Sequence, residues 1–495
     1  MGLSRIGFLC LGVLCCGNVY AQALSAHRIE FNAIQDFAFD PAYLIKGEGG
    51  DTLNVPQSIR THDTLNTTAG FTHSTIIDRK TLSVANNIPN PGFFGVEDFG
   101  HQTTPDNIPI SNATHVLLDI SGDNRPDALI ADRGQTALVV TLGQNPANGT
   151  FQDSTKSIAF DTPIRDLAAV EEGGLVSIGV LHDKTLRVLQ AKNHNNSNGI
   201  LNQFNKADQQ IRIQGLGIRV AAYATRSGAL FVVLSEDRGG LRLTTFVADA
   251  LNNSLRQNDS VLFTDDDLVE EKAVAIAFSE LDDDRLPEVA VLSAVLEDND
   301  NMVDSGRLRL FDVSSRWRLR LEQQGTADGV DIDPVLLPAQ LELDDCADPV
   351  KTVVPTAMRI ADITAVRGRL GPDGRHDIII GGDASLLKCD VTRPFAQVWR
   401  VDERMQLHSV AETVVIETAN DTLADQPRVV DLEIGRFNSD DLPDVALLDQ
   451  ASNGLIVLRQ QPQPCITFIT TITHGHQGGK SIMAEAQRLS LGLLG

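Results

Sequence analysis

An all-β fold built from repeated units of short strands is predicted by three observations. Glycine and proline are plentiful, 39 and 20 in 495 residues, and they punctuate apolar runs too short for ordinary helices. Hydrophobic residues make up 42% of the chain while aromatics make up only 5%, enough for a core of mainly aliphatic side chains. The third observation is internal repetition: one acidic pattern returns along the chain, each time just ahead of a short apolar run.

The pattern is clearest at Leu117 to Asp132. Asp119, Ser121, Asp123 and Asp127 fall at positions one, three, five and nine of a nine-residue segment, and the backbone carbonyl of Arg125 falls at position seven. Ala128-Leu129-Ile130-Ala131 follows directly. The second copy places Glu280, Asp282, Asp284, the carbonyl of Leu286 and Glu288 at the same positions, before Val289-Ala290-Val291-Leu292. A third has Arg436 first, then Asn438, Asp440, the carbonyl of Leu442 and Asp444, before Val445-Ala446-Leu447-Leu448. In a fourth, Asp362 is separated by an insertion from Asp373 and Asp377, which lead into Ile378-Ile379-Ile380.

Close carboxylates repel one another unless a positive charge sits among them. Oxygen donors at this spacing match the first part of a loop that wraps a hard cation such as calcium. A helix-flanked EF-hand would need a glutamate at position twelve. Here position twelve is Ile130, Val291 or Leu447, so each loop feeds a buried strand.

These segments resemble FG-GAP or VCBS-type repeats, the calcium-loop blades of the integrin alpha head and of many secreted bacterial proteins. The family pattern is close to D-x-N-G-D-G-x-x-D followed by a strand. The resemblance implies a β-propeller in which each loop links the first two strands of a blade, with calcium as the cofactor. Arg436 departs from the pattern, because an arginine cannot coordinate calcium. It is expected to replace the ion's charge with its own and to bind Asp440 or Asp444 directly.

The strands after the motifs begin near residues 128, 289, 378 and 445, and a four-stranded blade needs roughly 40 to 60 residues. The first gap therefore holds two further blades with degenerate loops. Leu175–Val180 with Thr185–Leu189, and Ala229–Leu234 with Leu241–Phe246, read as their strand pairs, and Gly173-Gly174 and Ser227-Gly228 stand where the acids would be. Blades are expected near 112–152, 163–205, 217–262, 271–345, 354–415 and 427–460. A closing blade would combine 59–110 with 461–472, which hides the ring's edges. Seven blades are favoured, with six the alternative. Residues 24–58 are read as an N-terminal extension and 473–495 as a tail.

Charge and targeting narrow the function. A formal charge of -25, from 41 basic and 66 acidic residues, argues against nucleic acid or an anionic lipid surface as partner without a bridging cation. Residues 1–23 read as a secretory signal, with Arg5 ahead of an apolar run from Ile6 to Cys16 and Ala21 or Ala23 at the cleavage site. No later window is apolar over about 18 residues, so no membrane span is expected. The chain is thus expected to be secreted, periplasmic or at the cell surface. Of its remaining cysteines, Cys346 and Cys389 can pair, leaving Cys465 odd, although sequence cannot fix connectivity.

Other motifs carry less. Thr473 to Ser481 fails the phosphate-loop template because His474 replaces the first glycine. His474 and His476 in a tail are ordinarily just exposed. The HExxH, GxSxG and paired CxxC signatures are missing from the sequence. The expected function is a binding or adhesion module for an unidentified protein or carbohydrate. The alternatives are a polysaccharide lyase or hydrolase on the same ring, or the propeller part of a larger surface or toxin assembly.

Overall fold

The computed structural model describes residues 43–45, 57–63, 72–77, 81–85, 88–90, 93–95, 99–103, 113–122, 127–144, 151–192, 204, 208–226, 228–238, 240–263, 270–279, 286–296, 303–321, 330–332, 355–365, 377–386, 391–401, 407–415, 428–435 and 444–460. Nearly all their regular structure is strand. β1 (Tyr43–Ile45) is followed by a sheet of β2 (Ser58–Asp63), β3 (Thr72–Ile77), β4 (Thr81–Ala85) and, after the hairpin of β5 (Ile88–Asn90) and β6 (Phe93–Gly95), β7 (Phe99–Thr103).

Five sheets then contain antiparallel meanders of four strands consecutive along the chain. The first holds β8 (Ala113–Leu118), β9 (Asp127–Asp132), β10 (Ala137–Gln144) and β11 (Phe151–Ala159). The second holds β12 (Ile164–Glu172), β13 (Leu175–His182), β14 (Thr185–Lys192) and β15 (Asp208–Arg212). β16 (Leu216–Thr225), β17 (Gly228–Asp237), β18 (Gly240–Asp249) and β19 (Ser254–Phe263) form the third. The fourth is β20 (Glu270–Ser279), β21 (Glu288–Leu296), β22 (Val303–Val313) and β23 (Leu319–Leu321), with β24 (Val330–Ile332) also pairing to β22. The fifth is β25 (Pro355–Ala365), β26 (Asp377–Leu386), β27 (Val391–Val401) and β28 (Leu407–Val415). A last sheet holds β29 (Val429–Gly435), β30 (Asp444–Asp449) and β31 (Gly454–Leu458), and β1 adds to it as the outer strand.

The first strands of these sheets neighbour one another in the order β8, β12, β16, β20, β25, β29, β2 and back to β8. Sheets radiating from a circle of first strands are the arrangement of a β-propeller.

Two expectations need correction. Five blades, not seven, are uninterrupted meanders. The two other sheets are assembled differently: one takes in an inserted hairpin, and the other completes itself with a strand from the far end of the chain. Residues 24–58 are likewise not all extension, because β1 and the first residue of β2 lie within them. The sheet of β2, β3, β4 and β7 comes wholly from Ser58 to Thr103, and the strand brought in from a distant part of the chain is instead β1, on the edge of β31. The expected contribution of 461–472 lies outside the described residues, as do the signal, the tail and all three cysteines outside the signal.

The core lies between sheets rather than at one centre. Strands buried on both faces send alternate residues into two interfaces. Leu230, Val232 and Leu234 of β17 pack toward β20–β23, while Ala229, Phe231 and Val233 pack toward β12–β14. Val445 and Leu447 of β30 face β26 and β27, while Ala446 and Leu448 face β2 and β3. This two-sided burial is why the second strands read as unbroken apolar runs. At one interface the fit requires glycine: a Cβ on Gly179 would meet the Phe231 ring at 2.6 Å.

Candidate functional site

The acidic motifs enter the fold in one way. Their loops join β8 to β9, β20 to β21, β25 to β26 and β29 to β30, always the first strand of a sheet to the second. In the three uninterrupted copies the ninth residue opens the second strand opposite the residue that precedes the motif. The pairs are Asp127 with Leu118, Glu288 with Ser279 and Asp444 with Gly435. Asp377 opens β26 in the interrupted copy, and Asp362 lies within β25 opposite Gly381. By contrast, the degenerate loops are two-residue turns. Glu172 pairs with Leu175 across Gly173-Gly174, both at positive φ, and Thr225 pairs with Gly228.

In the first loop, Asp127 is fully buried. Its Oδ2 accepts the N–H groups of Ile120 and Ser121 at 2.8 and 2.7 Å. Asp119 Oδ1 accepts from Gly122 N–H at 2.6 Å and from the Ser121 hydroxyl at 3.4 Å, while Gly122 takes a φ of 76°. Asp119, Ser121 and Asp127 therefore lie around one turn. Glu288 and Asp444 are also fully buried, and Asp444 Oδ1 accepts from Gln460 N–H at 2.9 Å. Leu286 is partly exposed. Asp123, Arg125, Glu280, Asp282, Asp284, Asp373, Arg436, Asn438, Asp440 and Leu442 lie outside the described residues. Among those described, no three His, Cys, Asp or Glu side chains converge as a metal group.

The opposite face is built from different parts. Since adjacent strands are antiparallel, turns from second to third strands and entries into first strands lie at the other end from the acidic loops. A cleft of about 420 Å³ opens there, lined by Arg133 and Gly134 from the β9–β10 turn, Thr162 to Arg165 entering β12, Asp183 from the β13–β14 turn, and Ile218 and Arg219 of β16.

Beneath this face a clasp recurs that the sequence reading missed. The pairing slips by one residue between Ile164 and Asp166, between Gly217 and Arg219, and between Val429 and Asp431. Such a bulge re-aims the side chain after it, which then reaches the next first strand. Asp166 accepts from Val220 N–H at 2.9 Å, Asp431 accepts from Ile59 N–H at 2.9 Å, and Arg219 Nε donates to the Val274 carbonyl at 2.6 Å. Asp431 also holds the Ser58 hydroxyl at 3.0 Å and the Arg60 guanidinium at 2.8 Å. Ser58 in turn meets His115 Nδ1 of β8 at 3.0 Å. The only advance signal was an acid set in an apolar strand start, as in Val429-Val430-Asp431-Leu432.

Trp399 is buried, its indole N–H donating to Gln397 at 2.7 Å. Asn258 donates its amide to the carbonyls of Arg316 and Trp317, each at 2.8 Å.

No protein-family model matches the chain, and a search of curated proteins finds no relative. Among the described residues no helix is long and apolar enough to cross a membrane.

Proposed function

We propose that the chain is an exported binding or adhesion module: a β-propeller of FG-GAP/VCBS-type repeats whose acidic loops hold calcium and whose opposite face holds a ligand. The observation that supports it most is the common register of three acidic loops, each closing on a buried acid that opens the second strand of its sheet. Donors at positions one, three, five, seven and nine of such a loop suit calcium, an ion that stabilises the blade rather than reacting. A carboxylate as deeply buried as Asp127 or Glu288 strongly favours compensation by hydrogen bonds and positive charge.

The test is thermal melting of the mature chain with calcium and with chelator. Calcium should raise Tm, and saturation at a hundred times Kd should add about 2.7 kcal/mol per site. Asp123→Ala and Asp284→Ala should each reduce the response. Melting curves that coincide with and without chelator would remove calcium from this reading. One observation favours the second reading, a polysaccharide lyase or hydrolase: Asp183 stands with three arginines at a single cleft.

A further inference from the structure

The cleft's charge runs against that of the molecule. In a chain of formal charge -25, three guanidinium groups, Arg133, Arg165 and Arg219, line one cleft. The lining holds a single carboxylate, Asp183, and Asp166 lies behind it. Arg133 spends one donor on Asp166, at 3.1 Å, and its buried Nε has no hydrogen-bond partner among the described residues. Arg219 is held against β20 through the Val274 carbonyl. Arg165 occupies the slipped position of β12 and is exposed.

We propose that this cleft binds the carboxylate side chain of an acidic peptide segment on a partner protein, with Arg165 as the main contact and Arg133 beside it. The proposal rests on the binding-module reading and names its ligand. The guanidinium fork matches carboxylate geometry. Pro163, Ile164 and Ile218 give the cleft aliphatic walls that suit peptide backbone and small side chains. None of its lining residues is aromatic, so a sugar ring would lack a stacking platform. Its volume lies within the range of small-ligand sites and accommodates two or three residues of a peptide.

The experiment is calorimetric titration of the mature chain with four probes: acetyl-Gly-Glu-Gly-amide, its Gln counterpart, digalacturonate and inorganic phosphate. The Glu peptide should bind at least about tenfold more tightly than the Gln peptide, the discrimination expected of a charge-assisted pair. Arg165→Ala should reduce that affinity by a similar factor and Arg165→Glu should abolish it. Tm should be unchanged in both variants, because Arg165 supports no other group among the described residues. Equal binding of the Glu and Gln peptides, an Arg165→Ala variant that binds normally, or no binding by any probe would overturn the assignment. Preference for digalacturonate or phosphate would overturn it in favour of that ligand. Calcium-dependent melting, read separately on the same samples, shows whether the module reading fails with it.

Discussion

His182 ends β13 with its ring buried against the edge of Phe160, whose centroid lies 5.6 Å away. Its Nδ1 meets the hydroxyl of Thr162 at 2.7 Å, and its buried Nε2 has no hydrogen-bond partner among the described residues. Burial, and then the nearby Arg187 charge, hold the imidazole below its ordinary value of 6.5, outweighing Asp161, Asp183 and Asp208, which pull the other way. The unfolded chain therefore takes up this proton at a higher pH than the folded one. The contribution is complete above 6.5 and is lost as the pH falls below it. Tm should decline between about pH 7 and pH 5.5, where ordinary carboxylates stay largely ionised, and the decline should be shallower in His182→Gln. An identical slope in the variant would assign the acid sensitivity to other groups. Neither the burial of this ring nor its link to Thr162 was legible in the sequence, where His182 is one histidine beside a turn.

The element that best shows how a strand accommodates a buried charge is β20. Glu271 and Arg309 are both buried. Arg309 grips the carboxylate with two bonds of 2.7 Å, Arg307 adds another, and the Ser293 hydroxyl donates at 2.9 Å. Burial alone would raise the Glu271 pKa, but Arg309, with Arg307 and Ser293, reverses this and holds it below its ordinary value of 4.5. Arg309 also lies 4.8 Å over the Phe263 ring of the neighbouring sheet. Removing one partner leaves an uncompensated charge, so Arg309→Met should destabilise by about 3 to 5 kcal/mol in denaturant melts. Adding Glu271→Leu should recover much of the loss. A double variant as unstable as the single would mean that packing, rather than charge, sets the penalty. Such cross-strand partners escape sequence reading because 271, 293, 307 and 309 are joined only by the ladder. The acidic loops were legible because their donors lie within nine consecutive residues and end at a strand.

For the whole molecule, the decisive feature is closure. β1 pairs with β31 through Tyr43–Val457, Leu44–Ile456 and Ile45–Leu455, joining segments far apart in sequence in one sheet, with Leu44 buried. Because this contact spans most of the chain, it resists opening of the ring where its first and last sheets meet. Leu44→Asp should lower stability by about 3 kcal/mol, as expected for an unpaired charge put into a core. It should also speed proteolysis near the seam. A variant with unchanged Tm would show that the Asp431 clasp to Ser58, Ile59 and Arg60 is sufficient by itself.

The sequence by itself determined the all-β class, the repeat and the position of each acidic loop ahead of a second strand, because short-range spacing and two-sided apolar runs are local properties of the chain. The tertiary structure decided which end supplies the closing strand and how bulged residues clasp neighbouring sheets. It also decided that Arg133, Arg165 and Arg219 share a cleft. Those depend on contacts between residues far apart in sequence, for which local pattern carries no signal.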